Sequence, residues 1–241
     1  MKAKPVTLKV NLIEYTPDPE QTIAVAARQC YYKDDSLLLK NQISAEFVEN
    51  FLGELISSGH HSTLEHASFT FFISGISRAA SHQLVRHRIA SYSQQSQRYV
   101  NFGEGFSYII PPTIKADKVA LRIFKNMMEK IADDYTKLGE LGIKPEDARF
   151  ILPNAAETKI TATFNARSLL HFFEERLCSR AQWEIRAIAN EMLREVREVA
   201  PIIFKYAGPT CQTQKICWQN EKQSCGLWRT YQGERRDRFA V

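Results

Sequence analysis

The sequence predicts an α+β fold in a single domain, with a central, mostly antiparallel sheet flanked by helices. Segments with the period-2 hydrophobicity of half-buried strands are mixed with amphipathic helical segments, and no regular βαβ alternation links them. Hydrophobic residues make up 44% and charged residues 24% of the 241 residues, an ordinary composition for a chain that buries a core. No internal repeat, low-complexity tract or Gly/Ser linker divides the chain. One domain over residues 1–241 is therefore expected.

Three segments predict strands. In the first, apolar residues alternate with polar ones, which is typical of a strand with one buried face; they are Val6, Leu8, Val10 and Leu12. The second, SFTFFIS at 68–74, is β-rich and is followed by Gly75, which we expect to end it. The third, at 157–164, places Ile160, Ala162 and Phe164 on one face.

Helices are predicted at 19–30, 44–58, 77–85, about 117–139, 166–177 and 181–200. Gly59 ends the second and Pro201 the last. The second helix is expected to bury Phe47, Phe51, Leu55 and Ile56. Asp117 is a suitable N-cap for the long helix. That helix has one apolar stripe, formed by Leu121, Phe124, Met128, Ile131, Tyr135 and Leu138.

Charge and cysteine usage narrow the functional class. Lys and Arg number 32 against 27 Asp and Glu, and a net charge of +5 does not by itself indicate nucleic acid or a membrane surface as a partner. No run of 18 apolar residues predicts a membrane span, and the N-terminal segment lacks the apolar core of a signal peptide. Five cysteines, an odd count, predict reduced thiols in a cytoplasmic protein.

The tail from about residue 207 to 241 is expected to be mobile and to carry three unpaired thiols, Cys211, Cys217 and Cys225. Zinc binding there is the weaker alternative, because the tail has no C-x-x-C pair and no histidine follows His171. No metal site is predicted in the chain. The run at 60–66, HHSTLEH, does not have the spacing of H-E-x-x-H or H-x-x-E-H.

An arginine-rich segment without acids is the clearest functional signal. Residues 66–103 contain no Asp, Glu or Lys, yet they contain Arg78, Arg86, Arg88 and Arg98. Guanidinium groups make paired hydrogen bonds to phosphate and planar oxygens, so this composition favours a pocket for an anionic ligand. An arginine-rich helix face packed on a neighbouring subunit is the alternative. Neither a G-x-S-x-G elbow, a G-x-G-x-x-G turn nor a P-loop is present, which disfavours serine nucleophiles and glycine-rich nucleotide loops.

Five ordered blocks resemble the flavin-dependent thymidylate synthases. Arg86-His87-Arg88, seven residues and Ser96 reproduce that family's R-H-R-x7-S motif, continued as far as Arg98-Tyr99. The other four blocks are GHHSTLEH at 59–66, DAR at 147–149 with LP at 152–153, NARSL at 165–169, and Arg176 with AQWEI at 181–185. Together they extend from about residue 59 to 186.

The resemblance implies an enzyme that methylates dUMP to dTMP in de novo dTMP biosynthesis. It implies FAD as the cofactor, 5,10-methylenetetrahydrofolate as the carbon donor and NADPH as the reductant. It also implies a homotetramer whose active sites are shared between subunits, with no nucleic-acid or membrane partner.

The resemblance also assigns residues. Those expected to contact FAD, here called the flavin set, are Ser62, Arg86, His87, Arg88, Gln94, Asn165, Arg167 and His171. Those expected to surround dUMP, here called the nucleotide set, are Gln83, Arg86, Gln94, Gln95, Ser96, Gln97, Arg98, Arg149 and Arg176. Many family members have Glu at position 94 and Asn at position 171, and both replacements keep hydrogen-bonding capacity.

Arg176 is the expected catalytic residue, matching the arginine thought to stabilise the N3-deprotonated uracil. None of the matched residues is a cysteine, so a thiolate nucleophile is not expected. We expect Ser96 to hydrogen-bond the nucleotide rather than attack it. On an ideal helix Arg167 and His171 share a face, whereas Arg176 lies about half a turn away. Sites shared between subunits would explain this arrangement, and a kink near Glu174 would be the alternative.

The principal rival from another class is a nucleic-acid-binding module that uses 78–98 as a basic helix. Glu104 and the neutral Gln/Ser run at 91–97 cut that basic patch short. A flavin-binding protein without methyl transfer is the third possibility.

Overall fold

The computed structural model describes residues 2–33 and 43–236. The strands are β1 (Ala3–Pro5), β2 (Lys9–Tyr15), β3 (Ser68–Ser77), β4 (Ser91–Gln94), β5 (Phe106–Tyr108), β6 (Glu157–Asn165), β7 (Ile216–Cys217) and β8 (Glu234–Arg235). The helices are α1 (Pro19–Gln29), α2 (Ala45–Ser57), α3 (Arg78–Leu84), α4 (Pro112–Ala116), α5 (Lys118–Glu140), α6 (Pro145–Ala148), α7 (Ala166–Arg176), α8 (Trp183–Val199), α9 (Pro201–Phe204) and α10 (Thr210–Thr213). Short 3₁₀ helices span His61–His66, Arg149–Ile151 and Leu227–Arg229.

A central antiparallel sheet with the strand order β2-β3-β6-β4 confirms the predicted fold class. The Thr70 and Thr163 hydroxyls lie 2.9 Å apart, and the backbone N–H of Gly75 donates to Glu157. Partner numbers therefore fall along β6 as they rise along β3, as antiparallel pairing requires. Two small pairs, β1–β5 and β7–β8, are parallel.

Contacts between residues divide the chain into two compact units. The first unit comprises Met1–Val10, Phe72–Arg86 and Tyr92–Thr161, and the second comprises Asn11–Phe71, His87–Ser91 and Ala162–Val241. Each is described by itself below.

The first unit buries one face of the predicted long helix. Asp117 accepts hydrogen bonds from the backbone N–H groups of Val119 and Ala120, which confirms it as the N-cap of α5. The predicted stripe faces inward, with Met128 and Tyr135 buried and its other members half-buried. Ala3 of β1 and Phe106 of β5 complete this core cluster.

The second unit has an aromatic core between α7, α9 and β3. The ring of Phe204 meets Phe69 at 5.4 Å and Phe173 at 5.9 Å, in edge-to-face contacts. Glu20 of α1 accepts hydrogen bonds from the backbone N–H groups of Ile202 and Ile203, which satisfies the first turn of α9.

Two predictions about local structure are wrong. β3 continues through Gly75 to Ser77, because Gly75 adopts a φ of +67° and passes so close to Thr7 that a Cβ would lie 1.9 Å from the Thr7 carbonyl oxygen. α2 buries Val48, Leu52 and Leu55. Phe47, Phe51 and Ile56 are only half-buried, and the two phenylalanine rings stack on each other at 5.3 Å.

The remaining predicted elements are confirmed to within a few residues at each end, except that β2 begins at Lys9 rather than near Val6. Helix α2 ends just before Gly59, whose φ of +80° is the left-handed conformation that glycine adopts readily. The short strands β1, β4, β5, β7 and β8 were not predicted. Of the described helices, none is sufficiently long and apolar to cross a membrane.

Candidate functional site

Helix α7 carries three predicted site residues of the second unit, with a fourth as its N-cap, and starts directly at the end of β6. Asn165 caps the helix, its side-chain oxygen accepting the N–H of Ser168 at 2.8 Å. The N–H of Ala166 donates to the carbonyl of Ala67 at 2.8 Å, which ties the start of α7 to the segment after the His61–His66 turn. The orientation of the helix is thus fixed at its first residue.

His87 and Arg176 form the most specific contact of the second unit. The guanidinium Nε of Arg176 donates to Nε2 of His87 at 2.8 Å, so this imidazole nitrogen acts as an acceptor and carries no proton. The imidazole also packs edge-to-face on Phe172, with ring centroids 4.9 Å apart. Burial lowers the pKa of His87 to about 4, and the charges of Arg176 and His171 add to the effect. A neutral His87 therefore holds the charged Arg176 in place at physiological pH.

The same contact bears on the expectation from helix geometry. α7 continues without interruption from Ala166 to Arg176. The ring of His171 lies 6.2 Å from that of His87, so His171 and Arg176 both approach His87 within a single chain.

The other members of the flavin set in the second unit are more open. Arg167 pairs with Glu65 at 2.5 Å, but the two side chains are 53% and 47% exposed, so the pair contributes little stability. Ser62, Arg88 and His171 are exposed. This unit therefore presents hydrogen-bond donors to solvent.

In the first unit, hydrogen bonds from its side-chain amide nitrogen fix the position of the Gln94 side chain. Its Nε2 donates to the hydroxyls of Ser81 at 2.9 Å and Thr158 at 3.1 Å, and these two residues are almost fully buried. The Ser81 hydroxyl in turn donates to the carbonyl of Arg78 at 2.9 Å. Both amide protons of Gln94 are used within the protein, which leaves its oxygen as the group available to a ligand.

Ser96, Arg98 and Arg149 are also positioned by protein contacts. The Ser96 hydroxyl oxygen accepts the backbone N–H of Arg98 at 3.1 Å. Arg98 pairs with the Glu146 carboxylate at 2.8 Å, and Arg149 donates to the Glu146 carbonyl at 3.0 Å. Glu146 thus orients two arginines of the nucleotide set.

Gln97 differs from these residues. Its Nε2 is buried and has no hydrogen-bond partner among the described residues. An unpaired buried amide donor is unfavourable by about 1–3 kcal/mol. A ligand that carries a hydrogen-bond acceptor would satisfy this donor.

Arg78 is a site candidate that belongs to neither the flavin set nor the nucleotide set. Burial lowers the pKa of the half-buried Arg78, and the neighbouring charge of Arg149 lowers it further. Two neighbouring positive charges would both be favoured by a nearby anion. The signal was present in the sequence, since Arg78 belongs to the acid-free segment.

The structure divides the predicted residues between the units. The second unit contains Ser62, His87, Arg88, Asn165, Arg167, His171 and Arg176. The first unit contains Gln83, Arg86, Gln94, Gln95, Ser96, Gln97, Arg98 and Arg149. Among the predicted residues of the second unit, Arg176 belongs to the nucleotide set and all the others belong to the flavin set.

Metal ligands are not clustered in the part of the chain that the structure describes. No group of three or more His, Cys, Asp or Glu side chains there is arranged to hold a metal ion. His61, from the histidine-rich run, has its Nε2 3.2 Å from the carbonyl oxygen of Ile56.

Comparison with known proteins identifies the class. A family model described as thymidylate synthase complementing protein matches residues 11–202. A UMP/dUMP methylase PolB from Streptomyces cacaoi, solved with 5-Br dUMP, shares the fold, with a TM-score of 0.72 over 84% of this chain and 95% of that chain at 23% identity.

Two curated relatives make the assignment narrower. A flavin-dependent thymidylate synthase of Geobacter sulfurreducens is 58% identical over 207 residues, covering 86% of this chain and 89% of the relative. One of Clostridium tetani is 50% identical over 227 residues, covering 88% and 91%. The chain belongs to the family of flavin-dependent thymidylate synthases.

Proposed function

We propose that the protein catalyses the reductive methylation of dUMP to dTMP, with 5,10-methylenetetrahydrofolate as carbon donor and NADPH as reductant. The observation that supports this best is the contact between Arg176 and the neutral His87, which links the R-H-R motif to the arginine expected to activate the pyrimidine.

FAD fits the donor set of the second unit. Its diphosphate is anionic, and Arg88 and Arg167 offer guanidinium groups. Within residues 2–33 and 43–236, Arg167 pairs with the half-exposed carboxylate of Glu65 and no ion pair of Arg88 is seen. Ser62 and His171, which also belong to the flavin set, are exposed and can form hydrogen bonds with a ligand. The remaining proposed FAD-binding residues are Arg86, His87, Gln94 and Asn165. The bound flavin supplies the redox chemistry, and the protein positions it.

The nucleotide is proposed to bind to Gln83, Arg86, Gln94, Gln95, Ser96, Gln97, Arg98, Arg149 and Arg176. The orphan Nε2 of Gln97 offers a donor to the base or sugar. The like-charged pair Arg78 and Arg149 favours the phosphate, and we add Arg78 to the set for this reason.

Arg176 is proposed to activate the pyrimidine. Uracil C5 becomes nucleophilic when electron density enters the ring, as it does when N3 loses its proton. A guanidinium is always charged, so it stabilises the N3 anion without transferring a proton itself. His87 contributes an acceptor rather than a second positive charge, so Arg176 keeps its full charge for the substrate.

Ser96 is proposed to bind rather than attack. Its oxygen accepts a backbone N–H, and its proton is available for donation to a ligand. Replacement Ser96→Ala is expected to weaken dUMP binding and to spare most of the turnover at saturating dUMP. Lost turnover with intact dUMP binding would contradict the assignment.

A homotetramer with shared sites in the cytoplasm completes the proposal. Val119, Ile123 and Met127 form an exposed apolar row at helical spacing on α5, which supports a subunit contact. All five cysteines are free thiols, as expected in a reducing compartment. Sedimentation gives the oligomeric state. Mixing inactive Arg176→Ala and Arg149→Ala subunits restores part of the activity if sites are shared.

Two measurements test the reaction itself. Purified protein is expected to carry flavin absorption near about 450 nm, which a nucleic-acid-binding module lacks. Release of tritium from C5-tritiated dUMP must then depend on both the folate and the reductant. Flavin absorption without tritium release would leave a flavin-binding protein without methyl transfer.

A further inference from the structure

The last turn of α7 is held from two sides within the second unit. On one side, Arg176 donates to Nε2 of His87. On the other side, Oε1 of Glu174 accepts hydrogen bonds from the Thr213 hydroxyl at 3.0 Å and from the side-chain amide of Gln214 at 2.9 Å. Glu174 and Arg176 are two positions apart, which on an α-helix places them about 200° apart around the axis. The two sets of contacts therefore restrain nearly opposite faces of the helix end.

Glu174 occupies an unfavourable position for the stability of the helix alone. It lies in the last turn of α7, where the negative end of the helix dipole repels a carboxylate. The donors on Thr213 and Gln214 offset this repulsion, since a hydrogen bond to a charged acceptor is stronger than one between neutral groups. The contact thus gives the Glu174 carboxylate a role that the helix by itself does not.

The two donors belong to a segment that is itself fixed within the second unit. Thr213 is the last residue of α10. The chain before α10 is held by Arg197 of α8, whose guanidinium group donates to the carbonyl oxygens of Phe204 at 3.1 Å and Ala207 at 3.3 Å. Residues 204–214, here called the support segment, are therefore attached both to α8 and to the end of α7.

We propose that Glu174 is a positioning residue for Arg176 and that it acts by tying the end of α7 to the support segment. The family model ends its match at residue 202, so both donors lie outside the matched region. The last turn of a helix lacks part of the hydrogen bonding of its middle and frays readily. A guanidinium on the last helical residue keeps its direction only while that turn is held. Glu174 holds the turn on the face away from His87.

The consequence for turnover rests on the proposed role of Arg176 in activating the pyrimidine. Glu174→Met removes the acceptor at similar volume and also removes a carboxylate from the helix end, so the helix itself should be no less stable. We expect kcat to fall by about tenfold or more, because a misplacement of about 1 Å in an active site can cost about 10²-fold. Glu174→Gln keeps an oxygen acceptor for both donors and should retain kcat within a few-fold.

The pKa of His87 tests the proposal without any turnover. Burial, together with the charges of Arg176 and His171, holds this pKa at about 4. If Arg176 moves away in Glu174→Met, the pKa of His87 rises towards the ordinary 6.5. NMR titration of the full-length protein labelled with ¹³C-histidine measures this pKa, and the spectrum of His87→Gln assigns the signal.

Two further variants supply a match and a control. The double variant Thr213→Val with Gln214→Met removes both donors and should raise the pKa of His87 to a similar extent. Glu175→Met removes the neighbouring carboxylate of the same turn, which takes no part in the contacts of Glu174. It should change neither the pKa of His87 nor kcat. Thermal melting checks that each variant is folded.

Two outcomes would overturn the proposal. An unchanged pKa of His87 both in Glu174→Met and in the double variant would show that the end of α7 keeps its place without the support segment. An equal rise of this pKa in Glu174→Gln and Glu174→Met would show that the negative charge matters rather than the position it fixes. Because His87 titrates without substrate or reductant, absence of methylation would contradict the proposed function and leave this test intact.

Discussion

The two units satisfy their polar site residues in opposite ways. In the first unit, Gln94, Ser96 and Arg98 each bond to protein groups, and the Gln94 amide lies against buried hydroxyls. In the second unit, Ser62, Arg88 and His171 of the flavin set are exposed.

This difference separates preorganised residues of the two sets from those that are not preorganised. Residues fixed by their own contacts hold their geometry before a ligand arrives and require little ordering on binding. Exposed donors depend on the ligand for their partners. Two residues of the second unit are exceptions, because His87 fixes Arg176 and the N–H of Ser168 fixes Asn165. Gln97 is the exception in the first unit, since its buried Nε2 has no partner among the described residues.

The largest expected effect is at Arg176. Replacement Arg176→Ala removes the fixed charge and is expected to lower kcat by about 10²–10³-fold, the usual loss for one preorganised electrostatic donor. Tritium release from labelled dUMP measures it. The control is Arg180→Ala, an exposed arginine near the same helix end. Retention of kcat within a few-fold would exclude Arg176 as the activating residue.

Gln97 gives the second largest effect. Gln97→Met removes the orphan donor at similar volume, so the protein should become no less stable, while dUMP affinity falls about tenfold if the ligand is its partner. Calorimetry and thermal melting separate the two quantities, with Asn126→Met as an exposed amide control in the same unit. Lower stability with unchanged affinity would show that Nε2 serves the fold.

His87 predicts a pH dependence of stability. Its folded pKa of about 4 lies below the value of 6.5 expected when unfolded, so at neutral pH it is mostly uncharged in both states. As pH falls from 6.5 towards 4, the unfolded chain binds a proton that the folded chain does not, and stability is lost. His87→Gln keeps an acceptor for Arg176 and should reduce the fall in Tm between neutral pH and about pH 5. His82→Gln, at an exposed histidine, should leave that fall unchanged.

The smallest effect is expected at the exposed pair of Arg167 and Glu65. Glu65→Gln should change the free energy of unfolding by about 1 kcal/mol or less, since both side chains are half-exposed. If the second unit is open to its ligand, the same change strengthens FAD binding, because Arg167 loses a competing anion. Weaker FAD binding after Glu65→Gln, measured by flavin fluorescence, would contradict that expectation.

Local patterns in the sequence predicted most of the fold. Asp117 before an apolar stripe identifies α5, and the alternation at 157–164 identifies β6. Both patterns are local, because capping and burial act over a few residues. The continuation of β3 beyond Gly75 was not predictable, because it depends on the close approach of Thr7, which is distant in sequence. The contact of Arg176 with His87 joins residues 89 positions apart, which only the tertiary structure could reveal.

The direct junction between β6 and α7 makes the site sensitive to chain length. β6 ends at Asn165 and α7 begins at Ala166, so there is no loop between the two elements that could accommodate an inserted or deleted residue. One extra residue inside the first turn of α7 would rotate everything after it by about 100° and advance it by about 1.5 Å. His171 and Arg176 would both turn away from His87, although every residue of the matched blocks would still be present. In sequences of related chains, the spacing from Asn165 to Arg176 is therefore as informative as the identity of the two residues.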